Sequence, residues 1–584
     1  MLAPPAVVHE IWRHRIVLFW PAWIATTIVA ASLTAWTVSR AMQPAASKDI
    51  GGAVAPARPR MREKALAGAL VMLLVGLYVV LSLTWEDFAH YDHSTFTLLT
   101  LRGRSFTPPI WPNNGRFFPL GLQEFNLIAH FTHSIVGYHV PALLQLLLLC
   151  GVLLALLRIS FSPLCSAALV GLLLLSPAIL ISYTGLVYPE RNVIFWIACL
   201  LLCVARFDDR YSPAWAAVAV VCAQFLLYYK ETAFALVGVF ALARVALHCR
   251  DAEDLSGVRK HLADKAGRFN LCLAALGVLF LIHYLADMLP RPHLTYGAEN
   301  RLPLGSVLQS YVKADLLAIV FLGFAAVRLC LILKRRVQPD MLWDALGFGG
   351  ATCALAYLKL GLFSIYYFAP VDLAAVLYLG RLAVLKWKRF TPWAKFAVAT
   401  FTAVILLQNL YLSSFEVFEE KNIVRSKMEL ADTIAAQHAL NPSKSLRLFV
   451  PFADPYVLME FAAYLDYRTL PIEGTDHNPG TPIVLISRLV TTESRCVPFR
   501  SVICHPGREP APGDLVLELP DDEASVNQEA SFTSHGRTLF ATAPCPRLPQ
   551  WLEILARRFH AASLRFANKQ LPGHWLQASV TIAN

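Results

Sequence analysis

Long apolar runs alternate with short polar breaks along most of the chain, and that pattern predicts a bundle of helices, not sheets. About a dozen runs of roughly 14 to 22 residues can each be tested as a membrane span. They are 16–38, 65–83, 140–157, 164–181, 193–207, 214–227, 232–247, 269–286, 316–333, 342–363, 371–384 and 394–412. Several are short for a perpendicular crossing, as expected of kinked or half-spanning helices around a polar cavity. The pattern changes at about Ser413 to that of an ordinary globular sequence. A helical period over 416–440 is followed by β-branched or apolar runs at 446–451, 482–486, 514–519 and 538–543, with a helical stretch at 456–465. Strands interleaved with helices predict a small α/β domain. The expected fold is therefore a polytopic α-helical membrane protein with a soluble C-terminal domain. Its parts are a 1–60 extension with one apolar helix and a Pro/Ala-rich linker, a 61–412 transmembrane domain with a large 85–139 loop, and a 413–584 α/β domain.

Composition agrees with that pattern. The 584 residues are 56% hydrophobic and 16% charged, where a soluble protein carries roughly a quarter charged residues. The net charge of +11 raises the question of nucleic acid. No soluble stretch joins a basic face to interleaved aromatics, so no nucleic-acid partner is expected. The excess is topological instead. One set of loops holds Arg58, Arg60, Arg62 and Lys64, then Arg158, Arg206 and Arg210, the stretch 244–268, Lys334 to Arg336, and Lys386 to Arg389. The alternate loops are nearly free of clustered basic residues, which makes the first set cytoplasmic and places 85–139 and everything after Ser413 outside. Of the 12 cysteines, nine sit in or beside apolar runs as small filler. Cys496 and Cys504 are close enough for a short-loop disulfide, which suits an oxidising compartment.

Candidate chemistry collects on the outward loops. The first opens Trp85-Glu86-Asp87-Phe88-Ala89-His90-Tyr91-Asp92-His93 at an apolar helix end. The plain reading is a solvated juxtamembrane cluster. The functional one is a catalytic carboxylate that deprotonates a hydroxyl or binds a divalent cation, Mg or Mn, through Asp87. Further on, Arg116 and Glu124 lie among aromatic and apolar residues, in the manner of an interfacial helix. Tyr188-Pro189-Glu190-Arg191 closes a second outward loop, and Tyr229-Lys230-Glu231-Thr232 is a turn with almost no loop. Ionisable residues so near apolar helices are a functional hypothesis by default, with a plain snorkelling pair as the alternative. Tyr367 heads another helix, where an aromatic interface belt is the plainer account. Arg328, Asp344 and Arg381 fall toward cytoplasmic helix ends, and the span interiors read as nearly clean of charge. Chemistry at the outer boundary is thereby favoured over passage through the membrane.

Taken together, the acidic pair Glu86-Asp87 after a first span, the Tyr-Lys-Glu-Thr turn at 229–232, the many spans and the outer C-terminal domain resemble the GT-C class of membrane glycosyltransferases, close to its protein-mannosylating branch. The extra first span and the Glu-Asp order depart from the commonest forms. The resemblance implies transfer of a sugar from a polyprenyl-phosphate-linked donor to a glycan, lipid or protein acceptor. It places the chain in a bacterial inner membrane with its C-terminal domain periplasmic. On it, Asp87 is base or metal ligand with Glu86 its partner, and Asp92 or Glu124 is a second acid. Lys230, Arg191 and Arg116 hold the donor phosphate, and Glu231, Glu190, His93, Tyr188 and Tyr367 surround them. Two other classes stay open: an oligosaccharide or lipid-phosphate transferase or ligase, and a non-enzymatic transporter or flippase.

Overall fold

The computed structural model describes residues 6–42, 61–84, 100–101, 105–111, 115–288, 302–362, 364–440, 442–443, 445–450, 455–469, 481–488, 490, 501–507, 509–518, 538–541 and 579–582. In chain order the helices are α1 Ala6–Ser39, α2 Met61–Thr84, α3 Gln123–Ile128, α4 Ile135–Leu157, α5 Pro163–Leu174, α6 Pro177–Thr184, α7 Glu190–Arg210, α8 Pro213–Tyr229 and α9 Ala233–His248. They continue as α10 Leu255–Ala263, α11 Lys265–Met288, α12 Leu304–Ala314, α13 Leu316–Leu333, α14 Met341–Leu360, α15 Ala369–Lys386, α16 Pro392–Leu440 and α17 Pro455–Thr469. Each apolar run expected to cross a membrane lies within helix for most of its length. Among the described residues, eight helices are long and apolar enough to span a bilayer, and α5 with α6 makes a ninth crossing if that pair, bent by 70°, is one span. The protein is a polytopic helical membrane protein.

Local sequence explains where the helices break. Pro163, Pro177 and Pro213 open α5, α6 and α8 in the first turn, where a missing N–H is harmless. Ser162 caps α5 by accepting from the Cys165 N–H, and Asp315 caps α13 through the Ala318 N–H. Close packing in the middle of the bundle depends on glycine. A Cβ on Gly349 of α14 would stand 2.7 Å from the Leu236 carbonyl of α9, and one on Gly350 would stand 2.5 Å from Ala374 of α15. Small residues at such crossings let helix backbones approach, which is how helices associate where lipid supplies no hydrophobic drive.

The helix α16 is 49 residues long, on the order of 70 Å. It runs from the span Pro392–Ser414 straight into the C-terminal domain, so the expected span and the expected 416–440 helix are one element. That domain carries β3 Arg447–Phe449, β4 Ile483–Ser487, β5 Val502–Pro506, β6 Leu515–Glu518, β7 Thr538–Ala541 and β8 Ser579–Ile582 in the order β5-β4-β3-β6-β8-β7. The strands β5, β4, β3 and β6 are parallel, and β8 and β7 add antiparallel. Cys504 on β5 is disulfide-bonded, and its partner lies outside the described residues. The nine cysteines of the apolar runs are all free thiols.

The long loop after α2 is the hinge of the design. Its described part forms the ribbon β1 Ile110–Trp111 with β2 Arg116–Phe117 and the short α3. Phe118, Leu122, Phe125 and Ile128 of this loop share one core with Ile434 of α16 and Phe461 and Leu465 of α17. The C-terminal domain thus packs on the loop, at what is called here the loop end of the bundle. The opposite, basic end holds the Arg-rich connections.

Candidate functional site

Three turns meet at the loop end. The first is the α8–α9 connection, where Lys230 is extended (φ −155°, ψ 128°) and its carbonyl accepts from the Ala233 N–H at 3.0 Å. The loop docks directly on it, since the Leu120 N–H donates to the Tyr228 carbonyl at 3.1 Å. The second is the start of α7, entered through Gly185, where a Cβ would stand 2.4 Å from the Tyr188 ring. The third is the start of α3, set by Leu122 in the left-handed region (φ 66°). A buried leucine there stores roughly 1–2 kcal/mol of strain and turns Gln123 and Glu124 toward the bundle.

These turns bring three ion pairs together. Lys230 Nζ lies 2.6 Å from Glu190 Oε1, with side chains 6% and 0% exposed. Arg116 Nε lies 2.7 Å from Glu231 Oε1. Arg191 donates to Glu124 Oε1 at 2.8 Å, and Asn192 donates to the same oxygen at 2.7 Å. The pairs are linked in sequence, because Glu190 and Arg191 are neighbours, as are Lys230 and Glu231. Aromatic faces cover the cations: Lys230 Nζ is 4.7 Å from the Tyr367 ring centre, Arg116 is 4.4 Å from Phe118, and Arg191 is 5.5 Å from Phe125. Tyr367 stacks on Tyr357, whose hydroxyl meets Thr232 at 2.8 Å. Tyr188 packs on Tyr366 at 4.2 Å.

Hydrogen-bonding capacity is left open in this cluster. Glu190 Oε2, Glu231 Oε2, Glu124 Oε2 and Arg191 Nε are buried and have no hydrogen-bond partner among the described residues. Leaving such an atom unsatisfied costs about 1–3 kcal/mol each, so each of them is disposed to take up a polar partner. Ammonium and guanidinium groups with spare N–H donors are suited to phosphate or carboxylate oxygens.

The structure therefore joins Arg116, Glu124, Tyr188, Glu190, Arg191, Lys230, Glu231 and Tyr367, all singled out in the sequence, into one region. Glu86, Asp87, Asp92 and His93 lie outside the described residues, and with them the cation expected at Asp87. Other residues were not anticipated. Tyr228 Oη contacts His283 Nδ1 at 2.9 Å, and His283 Nε2 stands 3.2 Å from Asp287 one turn on. The one-turn spacing of His283 and Asp287 at the end of an apolar run was a readable signal for this chain. The span interiors are also less clean of charge than the sequence reading holds. Asp372 is buried one turn into α15, where it accepts from the Ser176 hydroxyl at the α5–α6 bend and hydrogen-bonds to Asp315. Burial pushes the Asp315 carboxyl up to about 6, against hydrogen bonds that pull it down.

No known family model matches the chain, and no curated protein matches it.

Proposed function

We propose that the chain is a membrane glycosyltransferase of the GT-C kind, moving a sugar from a polyprenyl-phosphate donor to an acceptor hydroxyl at the outer face of a bacterial inner membrane. The observation that carries this reading is the convergence of Arg116, Arg191 and Lys230 at one end of the bundle, beside carboxylate oxygens with no partner among the described residues. On this reading the bundle has eleven or twelve crossings, the short α8 and α9 among them, with its basic end cytoplasmic. Cys504 in a disulfide fits a C-terminal domain in an oxidising compartment.

The chemistry is a displacement at the anomeric carbon. The acceptor oxygen forms the new bond, the carbon–oxygen bond to phosphate breaks, and the hydroxyl proton passes to Asp87 or Glu86. Polyprenyl phosphate leaves with its charge held by Lys230, Arg191 and Arg116, and stabilising that charge is the main contribution to rate. The test is mass analysis of cell-envelope glycans in cells with and without the chain. Wild type restores a sugar unit that Asp87→Asn does not, although the variant is inserted. An unchanged glycan mass on deletion overturns the assignment, and loss of a whole oligosaccharide unit transfers it to the ligase class.

A transporter is the second reading, favoured by the Asp315–Asp372 pair beside the bent α5–α6 helix. Broken helices with protonatable groups are what secondary transporters place at their coupling sites. Substrate flux across vesicles that survives Asp87→Asn and stops in Asp372→Asn would decide for it.

A further inference from the structure

At the basic end, three helix ends converge within a short stretch of chain: the last turn of α9 with His248, the last turn of α10 with His261, and Asp264 at the head of α11. One ligand atom from each of the three lies within 4.8 Å of the other two. His248 Nε2 stands 3.0 Å from Asp264 Oδ1, 3.0 Å from Oδ2 and 3.1 Å from the His261 carbonyl. A neutral or protonated imidazole has one hydrogen at that nitrogen and cannot serve three acceptors well. Ligand atoms on a tetrahedral zinc at about 2.0–2.1 Å stand roughly 3.3 Å apart, close to the His248–Asp264 separation of 3.0 Å, and the His261 ligand atom lies within 4.8 Å of both. The His261 ring packs edge-on to His248, with centres 5.2 Å apart, and its nitrogens have no hydrogen-bond partner among the described residues.

The surroundings hold the group in place. The Gly267 N–H donates to Asp264 Oδ1 at 2.8 Å, which orients the carboxylate as an outer hydrogen bond does around a bound metal. Position 267 admits only glycine, because a Cβ there would stand 2.0 Å from the His261 carbonyl. The backbone of Lys265 is in turn tied to Met42. What the surroundings do not supply is packing for α10. That helix has nine residues and buries none of them, and a helix so short is marginal in water without tertiary support.

We infer that His248, His261 and Asp264 form a zinc site that clips α10 between α9 and α11, with a fourth position open to water. Two imidazoles and a carboxylate are a donor set that zinc accepts and that magnesium and calcium do not favour. The site lies apart from the loop-end cluster and does not rest on the glycosyltransferase reading.

The experiment uses full-length, tag-free protein in detergent, stripped with a chelator and titrated with Zn²⁺ by calorimetry. One equivalent of zinc per chain is expected, and Co²⁺ in its place gives the visible absorption of a four-coordinate ion. His261→Ala, which leaves the His248–Asp264 contact standing, weakens binding by at least about tenfold and abolishes the cobalt spectrum. His261→Gln serves equally if the alanine variant is recovered poorly, with circular dichroism confirming its helix content. Absence of zinc binding, or binding equally tight in the His261 variants, overturns the site.

Discussion

The two ends of the bundle use the same residue types for opposite ends. At the basic end, Arg244 gives two hydrogen bonds to Asp208, at 3.0 and 2.7 Å, and a third to Asn270 at 2.8 Å. Arg328 grips both oxygens of Asp344, which also accept from the Asp340 N–H and the Tyr378 hydroxyl. Both oxygens of each of those carboxylates have a partner. At the loop end, each pair is joined through one carboxylate oxygen while the other has no partner among the described residues. A closed pair has nothing further to offer a ligand, and an open one does. The number of buried donors and acceptors left over, more than burial, is what distinguishes the two ends.

The largest expected effect breaks the closed kind. Arg328→Met strands Asp344, which is fully buried, and removing one partner of a buried pair destabilises by about 3–5 kcal/mol. Thermal unfolding in detergent should show a lower midpoint, and Arg328→Met with Asp344→Asn should recover most of it. The open kind behaves differently. The double variant Lys230→Gln with Glu190→Gln keeps a neutral hydrogen-bonded pair, so its unfolding midpoint should stay near that of wild type. Transfer should fall by roughly 10² to 10³, the usual effect of removing a donor to developing charge. If both double variants lose stability and neither loses activity selectively, the contrast between the two ends fails.

How much of this could be read in the sequence depends on the kind of signal. Apolar runs report helices directly, so the bundle was legible, and the strand runs after 440 reported the mixed sheet. Glu190, Arg191, Lys230 and Glu231 were legible because charge beside apolar helices is rare enough to be informative. Their pairing was not, since Arg116 and Glu124 come from a loop whose path depends on Leu122 and on the C-terminal core behind it. Asp372 escaped notice because a lone carboxylate barely lowers the mean hydropathy of its run. The joining of span and domain in α16 was hidden for a similar reason: a helix that changes from apolar to polar surroundings changes composition without changing its backbone.

A smaller effect concerns Asp315, between the two extremes. It is capped by helix N–H groups yet shares a buried hydrogen bond with Asp372. Its folded value, about 6, lies above the unfolded one near 4. The folded state therefore holds the extra proton between those values. The penalty for ionising is absent below about pH 4, grows as pH rises and is complete above about pH 6. Asp315→Asn can still cap α13 and still bond to Asp372, but has no charge to bury. Its unfolding midpoint should match wild type at pH 4 and exceed it by a few degrees at pH 8. A difference of the same size at both values would remove ionisation as the cause.

The smallest effect sharpens the contrast most finely. Lys230 has the Tyr367 ring 4.7 Å from its nitrogen, whereas Arg328 is held by the Asp344 carboxylate and the Gln338 carbonyl. A ring face attracts a cation without taking up one of its N–H donors in a strong hydrogen bond, so it steadies the ammonium and leaves donors for a ligand. Such a contact contributes roughly 0.5–2 kcal/mol. Tyr367→Phe keeps the face and should leave transfer within about threefold of wild type. Tyr367→Leu removes it and should lower kcat/KM by about tenfold, mainly through KM, because on the proposed function the ring orients a group that holds phosphate before and during the reaction alike. An equal loss in both variants would assign the residue's value to its hydroxyl, and the ring would then be packing against Tyr357 and nothing more.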